Sequence, residues 1–365
     1  GIRDWQYCLV GSEMCIRDSA RTERKTAPGY HGFDFDCSPD VTIEEDLQRR
    51  DLTINAIAQS ENGDLVDPWG GLRDIESRVL RHVSDAFVED PVRILRVARF
   101  AARYNGLGFT NADETMQLMR RMVADGEVDA LVPDRVWKET ELALAGTNIR
   151  VFFEVLRECG ALRVLFPEVD VLFGIPQPER WHPEVDTGLH VMMVLEQAES
   201  MSNDLEVRFA ALTHDLGKGS TPRNLLPSHP GHELRGSRLI RDVAARLPVP
   251  RACRDLALLV AEFHTHVHRA LELRPKTILH VLEKTDAFRR PDRFEQFLVT
   301  CEADARGRAG LEDRRYEQAG YFRGAFAAAS AVNAGAIAKE VDDKKIPVAV
   351  RRARKKAISE FKAAR

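Results

Sequence analysis

The sequence predicts an α+β protein: a partial α/β region at the N-terminal end, then a mostly α-helical remainder. Three observations predict it. Strand and turn signals gather early, where Ala56-Ile57-Ala58 and Leu65-Val66-Asp67-Pro68 flank Glu61-Asn62-Gly63-Asp64, an Asn-Gly turn. From Asp90 onward apolar residues recur at three- and four-residue spacing, the period of a helix. A proline-rich stretch over 167–186, with Pro167, Pro176, Pro178 and Pro183, then divides the helical remainder and reads as a domain linker.

At 365 residues the chain is long enough for two or three domains with their own cores. A net charge of −4 does not announce a nucleic-acid binder, so any such contact must come from local patches. The six cysteines (Cys8, Cys15, Cys37, Cys159, Cys253 and Cys301) form no CxxC pair, which fits reduced thiols in a cytoplasmic protein. No run approaches the length of a membrane span, and the first residues do not have the pattern of a secretory signal.

In chain order, residues 1–19 show neither strand alternation nor a helical stripe. Next comes Arg49-Arg50-Asp51-Leu52-Thr53-Ile54-Asn55-Ala56. Paired arginines suit a phosphate, and Asp51 and Asn55 can hydrogen-bond a ribose; the plain alternative is a solvated loop with a capping Asp. After Glu89-Asp90-Pro91 a helix is expected, with Asp90 as N-cap and Pro91 at its first position. Ile94, Leu95, Ala98, Ala101 and Ala102 form its apolar stripe. Arg93, Arg96, Arg99 and Arg103 line the other side, a face of one sign that fits a polyanion.

Asp134 is expected to cap a helix running through Val136, Leu142 and Leu144 to Gly146. Two further helical segments follow, Val151 to Leu156 and Ala161 to Phe166. Eight of the 11 histidines lie between positions 182 and 268: His182, His190, His214, His229, His232, His264, His266 and His268. Imidazole and carboxylate together suit a catalytic divalent metal. A His-Asp pair in His214-Asp215-Leu216-Gly217-Lys218-Gly219 is the strongest signal; alone it would more often be structural. The basic end, from Arg351 to Lys362, reads as a solvated helix, with RNA contact as the weaker reading.

Arg49 to Ala56, Asp67-Pro68-Trp69-Gly70-Gly71-Leu72-Arg73-Asp74, and Glu89 to Arg99 resemble the motifs of class II tRNA nucleotidyltransferases, the bacterial CCA-adding enzymes. The likeness continues through Pro133 to Glu139 and covers about residues 20 to 345. It is closest to the multifunctional type, with the N-terminal end truncated or replaced. The resemblance implies that Asp90 and Arg93 read the base edges of CTP and ATP, and that Arg49, Arg50, Asp51, Asn55, Arg96 and Arg99 bind nucleotide.

It also implies a Gly-Gly-x-Val-Arg-Asp turn and an Asp-x-Asp pair for Mg²⁺ ahead of Ala20. Neither is there, so residues 1–19 are expected to be a foreign stretch and transferase activity to be impaired. Glu23 is the candidate for a further catalytic carboxylate. Asp34-Phe35-Asp36 follows what reads as a loop and is not taken as the metal pair.

His190, His214, Asp215 and a distant Asp304 resemble the HD phosphohydrolase signature. The resemblance implies those four as metal ligands, His232 and His264 nearby as catalytic groups for phosphate or a second ion, and Lys218 facing the substrate phosphate. His266 and His268 are expected at the surface. The expected metal is Mg²⁺ or a transition ion such as Ni²⁺.

The expected divisions are a leader over 1–19, a nucleotidyltransferase head over 20–88, a helical nucleotide- and tRNA-binding body over 89–180, an HD domain over 181–330 and a basic tail over 331–365. The implied function is addition of C, C and A to the tRNA 3′ end, with 2′,3′-cyclic phosphodiesterase, 2′-nucleotidase and phosphatase activity, in the cytoplasm, as a possible homodimer. Two other readings fit parts of the chain: an HD phosphohydrolase acting on RNA ends without transfer, and a poly(A) polymerase relative.

Overall fold

A computed structural model describes residues 42–60 and 62–365, together with the backbone of three short strands ahead of them. The chain forms two compact units, residues 1–170 and 171–365.

The first unit holds the strands. β1 (Cys8–Leu9), β4 (Ala58–Gln59) and β5 (Leu65–Val66) form one antiparallel sheet in the order β1-β4-β5, with β2 (Thr22–Lys25) and β3 (Phe33–Asp36) forming a separate antiparallel pair. The β4–β5 hairpin turns at Asn62-Gly63, as expected, and Gly63 takes φ +89°, a conformation that glycine adopts without steric cost. Asp34 and Asp36 lie on β3. Asp34 is opposite Arg24 and Asp36 opposite Thr22, while Glu23 is opposite Phe35. This register puts Glu23 on one face of the pair and both aspartates on the other. The catalytic role expected of Glu23 concerns a side chain outside the described residues.

Helices build the rest of this unit: α1 (Ile43–Gln48), α2 (Gly71–Ser77), α3 (Val92–Tyr104), α4 (Asp113–Ala124), α5 (Pro133–Ala145), α6 (Ile149–Glu158), α7 (Ala161–Leu165) and α8 (Pro167–Asp170). A parallel bridge joins β6 (Val79–Leu80) to β7 (Thr110–Asn111). α1 starts in a capping box: the Thr42 hydroxyl accepts from the Glu45 amide, and the Glu45 carboxylate accepts from the Thr42 amide. α3 buries Ile94, Leu95, Val97, Ala98, Ala101 and Ala102 and packs against α5 and α6. It begins one residue later than expected, with Asp90 outside it accepting from the Val92 amide at 3.2 Å. Asp134 is not the cap of α5 either: Val132 holds that place, Pro133 opens the helix, and Asp134 sits in the first turn.

The second unit is helical among its described residues: α9 (Thr187–Met201), α10 (Leu205–Thr213), α11 (His232–Arg246), α12 (Arg251–His268), α13 (Pro275–Lys284), α14 (Pro291–Arg306), α15 (Glu317–Ser330), α16 (Ala334–Ala338) and α17 (Ile346–Ala363). α9, α10, α12 and α14 pack on one another around Val191, Leu195, Ala210, Val260, Phe297 and Leu298, all buried. α17, the expected basic helix, lies along α13 and α15. Among the described residues no helix is long and apolar enough to cross a membrane.

Candidate functional site

Each unit gathers one cluster of charged side chains. In the first, Asp51 is buried at the end of the loop after α1. Its Oδ2 accepts from Arg96 Nε at 2.6 Å, and its Oδ1 accepts from the Leu52 amide at 2.8 Å and from Asn55 Nδ2 at 3.1 Å. Burial pushes this carboxyl up, but Arg96 and these bonds outweigh it and hold the group below its ordinary value. Arg99 Nε donates to Glu139 Oε2 at 2.6 Å, and Arg49 donates to Glu89 at 2.8 Å. Arg50 pairs with Asp46 at 2.9 Å. Asp90 takes a two-pronged bond from Arg135, at 2.9 and 2.7 Å. Arg93 donates to the carbonyls of Ala86 and Arg49.

The arginine face of α3 is therefore not a bare positive stripe. Arg93, Arg96 and Arg99 are partly buried and already engaged, while Arg103 is exposed beside the Tyr104 ring. Apart from Arg50, which pairs with Asp46, the nucleotide-binding candidates from Arg49 to Arg99 are tied together by hydrogen bonds that involve Asp51, Glu89, Asp90 and Glu139. Arg135 and Glu139, which complete this cluster, were not singled out from the sequence.

In the second unit α9, the end of α10 and α12 each bring histidine to one buried point, and α14 brings Asp304. His190 Nδ1 donates to the Gly307 carbonyl at 3.0 Å, His214 Nδ1 to Ala211 at 2.8 Å, His232 Nδ1 to His229 at 2.8 Å and His264 Nδ1 to Val260 at 2.8 Å. A carbonyl only accepts, so each of these rings carries a proton on Nδ1, and in its neutral form the ring offers the Nε2 lone pair.

Those Nε2 atoms converge on two carboxylates. His190 is 3.2 Å from Asp304 Oδ1 and 3.9 Å from Asp215 Oδ2; His214 is 3.2 Å from Asp215 Oδ2 and 3.8 Å from Asp304 Oδ1. His232 and His264 face the other oxygen, Asp215 Oδ1, at 3.5 and 3.7 Å. Three triads could each hold an ion, His182–Glu184–His190, His190–His214–Asp215 and Asp215–His232–His264, with Asp215 common to the last two.

Two observations fit a cation here. His214 Nε2 and Asp215 Oδ1 are buried polar atoms without a hydrogen-bond partner, an arrangement whose cost a bound ion removes. The carboxyls are also set to stay charged. Burial alone pushes Asp215 and Asp304 up, but Lys218, His214 and His232 around the first, and His268, His214 and His190 around the second, hold both well below the ordinary value. Burial pushes His264 down to about 3, so this ring stays neutral and able to bind metal.

Lys218, expected to face the substrate phosphate, has its buried Nζ 2.6 Å from Asp215 Oδ2 and donates to Gln177 Oε1 at 2.5 Å. Two features depart from the expected site. His268 is not a surface residue: its Nε2 is 2.6 Å from Asp304 Oδ2 and its Nδ1 is 2.9 Å from the Tyr316 hydroxyl. Its signal was the four-residue spacing from His264, which puts both on one face of α12. Glu184 also joins the site, with one oxygen 3.0 Å from both His182 Nδ1 and His190 Nδ1 and the other accepting from the Ala309 amide at 3.3 Å. His229 is held by Thr221 and the Pro176 carbonyl, and His266 is half-buried against Phe263.

With this geometry in hand, three family models match the chain: the poly A polymerase head domain over residues 13–81, a probable RNA and SrmB-binding site of polymerase A over 108–173, and the HD domain over 187–290. The chain is 61% identical over 345 residues to a multifunctional CCA protein of Thioalkalivibrio sulfidiphilus, covering 94% of this chain and 84% of that one. To a multifunctional CCA protein of Pseudomonas fluorescens it is 56% identical over 344 residues, again 94% and 84% of the two chains.

Solved structures share the fold at low identity. A CCA-adding enzyme with ATP has a TM-score of 0.58 at 19% identity, covering 87% of this chain and 68% of its own. The same kind of enzyme with CTP gives 0.55 at 17%, covering 87% and 68%. A Thermotoga maritima CCA-adding enzyme complexed with tRNA gives 0.53 at 17%, covering 88% and 74%.

Proposed function

The chain belongs to the multifunctional CCA protein family, a tRNA nucleotidyltransferase with an HD phosphohydrolase domain, and from that premise we propose which of its residues carry each activity. Asp215 and its histidines form the hydrolytic centre. The observation that carries this reading is the pair of orphaned buried atoms, His214 Nε2 and Asp215 Oδ1, in a ring of Nε2 lone pairs.

His190, His214, Asp215 and Asp304 would hold one divalent ion, Mg²⁺ or a transition ion such as Ni²⁺. Such an ion supplies positive charge against a phosphoryl oxygen and lowers the pKa of a water to the neutral range. The protein's own part is to fix the donors. Nδ1 bonds to carbonyls hold the four rings, Lys218 keeps Asp215 ionised, and His232 and His264 turn two Nε2 atoms toward Asp215 Oδ1 for phosphate or a second ion. The substrates proposed are 2′,3′-cyclic phosphates, 2′-phosphates and simple phosphomonoesters at RNA ends. Clearing such an end frees the 3′-hydroxyl that nucleotidyl transfer needs. Replacing Asp215→Ala is expected to abolish hydrolysis of 2′,3′-cyclic AMP while the helical content of the chain is kept; hydrolysis at the unchanged rate would sink this assignment.

In the first unit the residues from Arg49 to Arg99 are proposed to bind CTP and ATP, with Mg²⁺ and tRNA as the other partners. Solved relatives of this fold hold ATP, CTP and tRNA. Asp90 and Arg93 would read the base. Both are engaged without nucleotide, Asp90 by Arg135 and Arg93 by two carbonyls. Base reading therefore requires these bonds to be exchanged for bonds to the base edge. The residues ahead of Ala20 hold no Asp-x-Asp pair, and we infer that the chain as written transfers CMP and AMP slowly. Incorporation of labelled CMP into tRNA lacking CCA at the rate of a family member that has the pair would overturn that inference.

A further inference from the structure

The loop between α8 and α9 is more tightly determined than a linker needs to be. The Gln177 amide donates to the Val185 carbonyl at 2.7 Å, the Val185 amide to His182 at 2.9 Å, and the amides of Trp181 and His182 both to Pro178, at 2.9 and 3.1 Å. Val185 sits at φ +59°, a left-handed conformation that a β-branched side chain rarely adopts. Such strain persists only where surrounding contacts over-determine the backbone, and it gathers at binding sites.

Those contacts lead to the metal-binding cluster. Gln177 bonds Lys218, Glu184 bonds His190, and the His182 ring lies 4.6 Å from that of His190. At the tip, Trp181 is 57% exposed, unusual for so large an apolar side chain, and Arg180 lies over its ring at 4.8 Å. Arg308 spans the gap: one guanidinium nitrogen donates to the Trp181 carbonyl at 3.4 Å and another lies 3.5 Å from Asp304 Oδ1. Its Nε is buried without a hydrogen-bond partner.

An exposed indole one residue from a ring packed on a candidate metal ligand, with an under-bonded arginine between them, is the pairing that unpaired nucleotides bind. The base stacks on the aromatic face and the phosphate meets the guanidinium. We propose that Trp181 is a stacking platform for the terminal base of a single-stranded RNA 3′ end, and that Arg308 directs its phosphate to the Asp215–Asp304 centre. This rests on the hydrolytic reading above and adds what that reading lacks, a reason for the site to prefer a nucleotide over any other phosphoester. A free terminal base is required, because a base stacked in a duplex offers the indole no face.

The test uses the full chain, its Trp181→Ala and Trp181→Phe variants, and two probes: adenosine 2′,3′-cyclic phosphate and ribose 2′,3′-cyclic phosphate, which has no base. Stacking of this kind corresponds to about a ten-fold change in affinity or more. Trp181→Ala is expected to raise KM for the adenosine probe about ten-fold, leave kcat and bound metal unchanged, and leave KM for the ribose probe unchanged; Trp181→Phe is expected to restore most of the loss. KM values for the two probes that move together, or that do not move at all, overturn the platform. If the unaltered chain hydrolyses neither probe, the hydrolytic reading has failed on its own, and the platform is then judged by ultraviolet cross-linking. An RNA ending in 4-thiouridine should attach to the peptide containing Trp181, and attachment only elsewhere overturns it.

Discussion

At the scale of single residues, the chemistry turns on where each imidazole keeps its proton. His268 illustrates it. Its Nε2 is bonded to Asp304 Oδ2 at 2.6 Å, which leaves Asp304 Oδ1 facing His190 and His214. Groups that hold a metal ligand from behind typically change metal affinity 10- to 100-fold. His268→Ala is therefore expected to weaken divalent-metal binding by about that range, measured by calorimetric titration, with the fold retained. An unchanged affinity would make His268 a bystander.

Asp51 allows a prediction with a pH window. Its folded-state value lies below the ordinary 3.8, so its stabilising effect is complete above that value and is lost as pH falls through the folded value. Asp51→Asn removes the charge opposite Arg96, a partner that remains about a third exposed. The expected loss is about 2 kcal/mol at pH 7, below the full cost of breaking a buried pair. The difference between variant and parent should narrow as pH drops below the ordinary carboxylate value. Urea titrations at pH 7 and pH 3 with the same gap between the two proteins would contradict this.

At the scale of elements, the turn after α10 is held by close approach of backbones. A Cβ on Gly217 would meet the His232 carbonyl oxygen at 1.9 Å and the Gly236 nitrogen at 2.5 Å, so α11 rests directly on this turn. Backbone atoms cannot yield as a side-chain tip can. Gly217→Ala is expected to push α11 away, destabilise the second unit by about 2–3 kcal/mol, and carry His232 out of line with Asp215. Thermal melting together with hydrolysis of the adenosine probe checks it, and a variant with unchanged melting and KM would show that the turn is more pliant than this.

The same element shows what a sequence can and cannot reveal. His214 and Asp215 were legible because a short glycine-bearing motif follows them, and His190 and Asp304 only because the pair with its upstream His and distant Asp resembles the HD signature. The bond from Lys218 to Gln177 was not legible, because nothing local shows that a side chain 41 residues earlier reaches its ammonium group. The partners of the arginine face of α3 were not legible for the same reason, since the carboxylates that meet Arg96 and Arg99 come from 45 and 40 residues away. Helix periodicity gives the buried side of a helix; it does not show which distant chain covers the polar side. Trp181 was passed over because prolines around it read as a connector, and its fixed position comes from backbone hydrogen bonds that residue types alone do not specify.

At the scale of the whole molecule, each compact unit carries its own cluster, and no residue of either cluster is drawn from the other unit. Asp51, Asp90, Arg93, Arg96, Arg99 and Glu139 fall within residues 1–170, and His190, His214, Asp215, His232, His264 and Asp304 within 171–365. Side chains that share no partner are expected to respond independently to substitution. Asp215→Ala should therefore remove hydrolysis of a 2′,3′-cyclic phosphate and leave whatever CMP incorporation the chain has on a tRNA with a free 3′-hydroxyl. Arg93→Ala should lower that incorporation about ten-fold or more and leave hydrolysis untouched. The two activities become dependent only through the RNA end. On a tRNA that ends in a 2′,3′-cyclic phosphate, Asp215→Ala should block incorporation as well, because the nucleophilic hydroxyl is never released, and pretreating that tRNA with a separate phosphatase able to open the cyclic phosphate should restore it. Restoration failing after such treatment would show that the substitution reaches the transferase by some route other than its substrate.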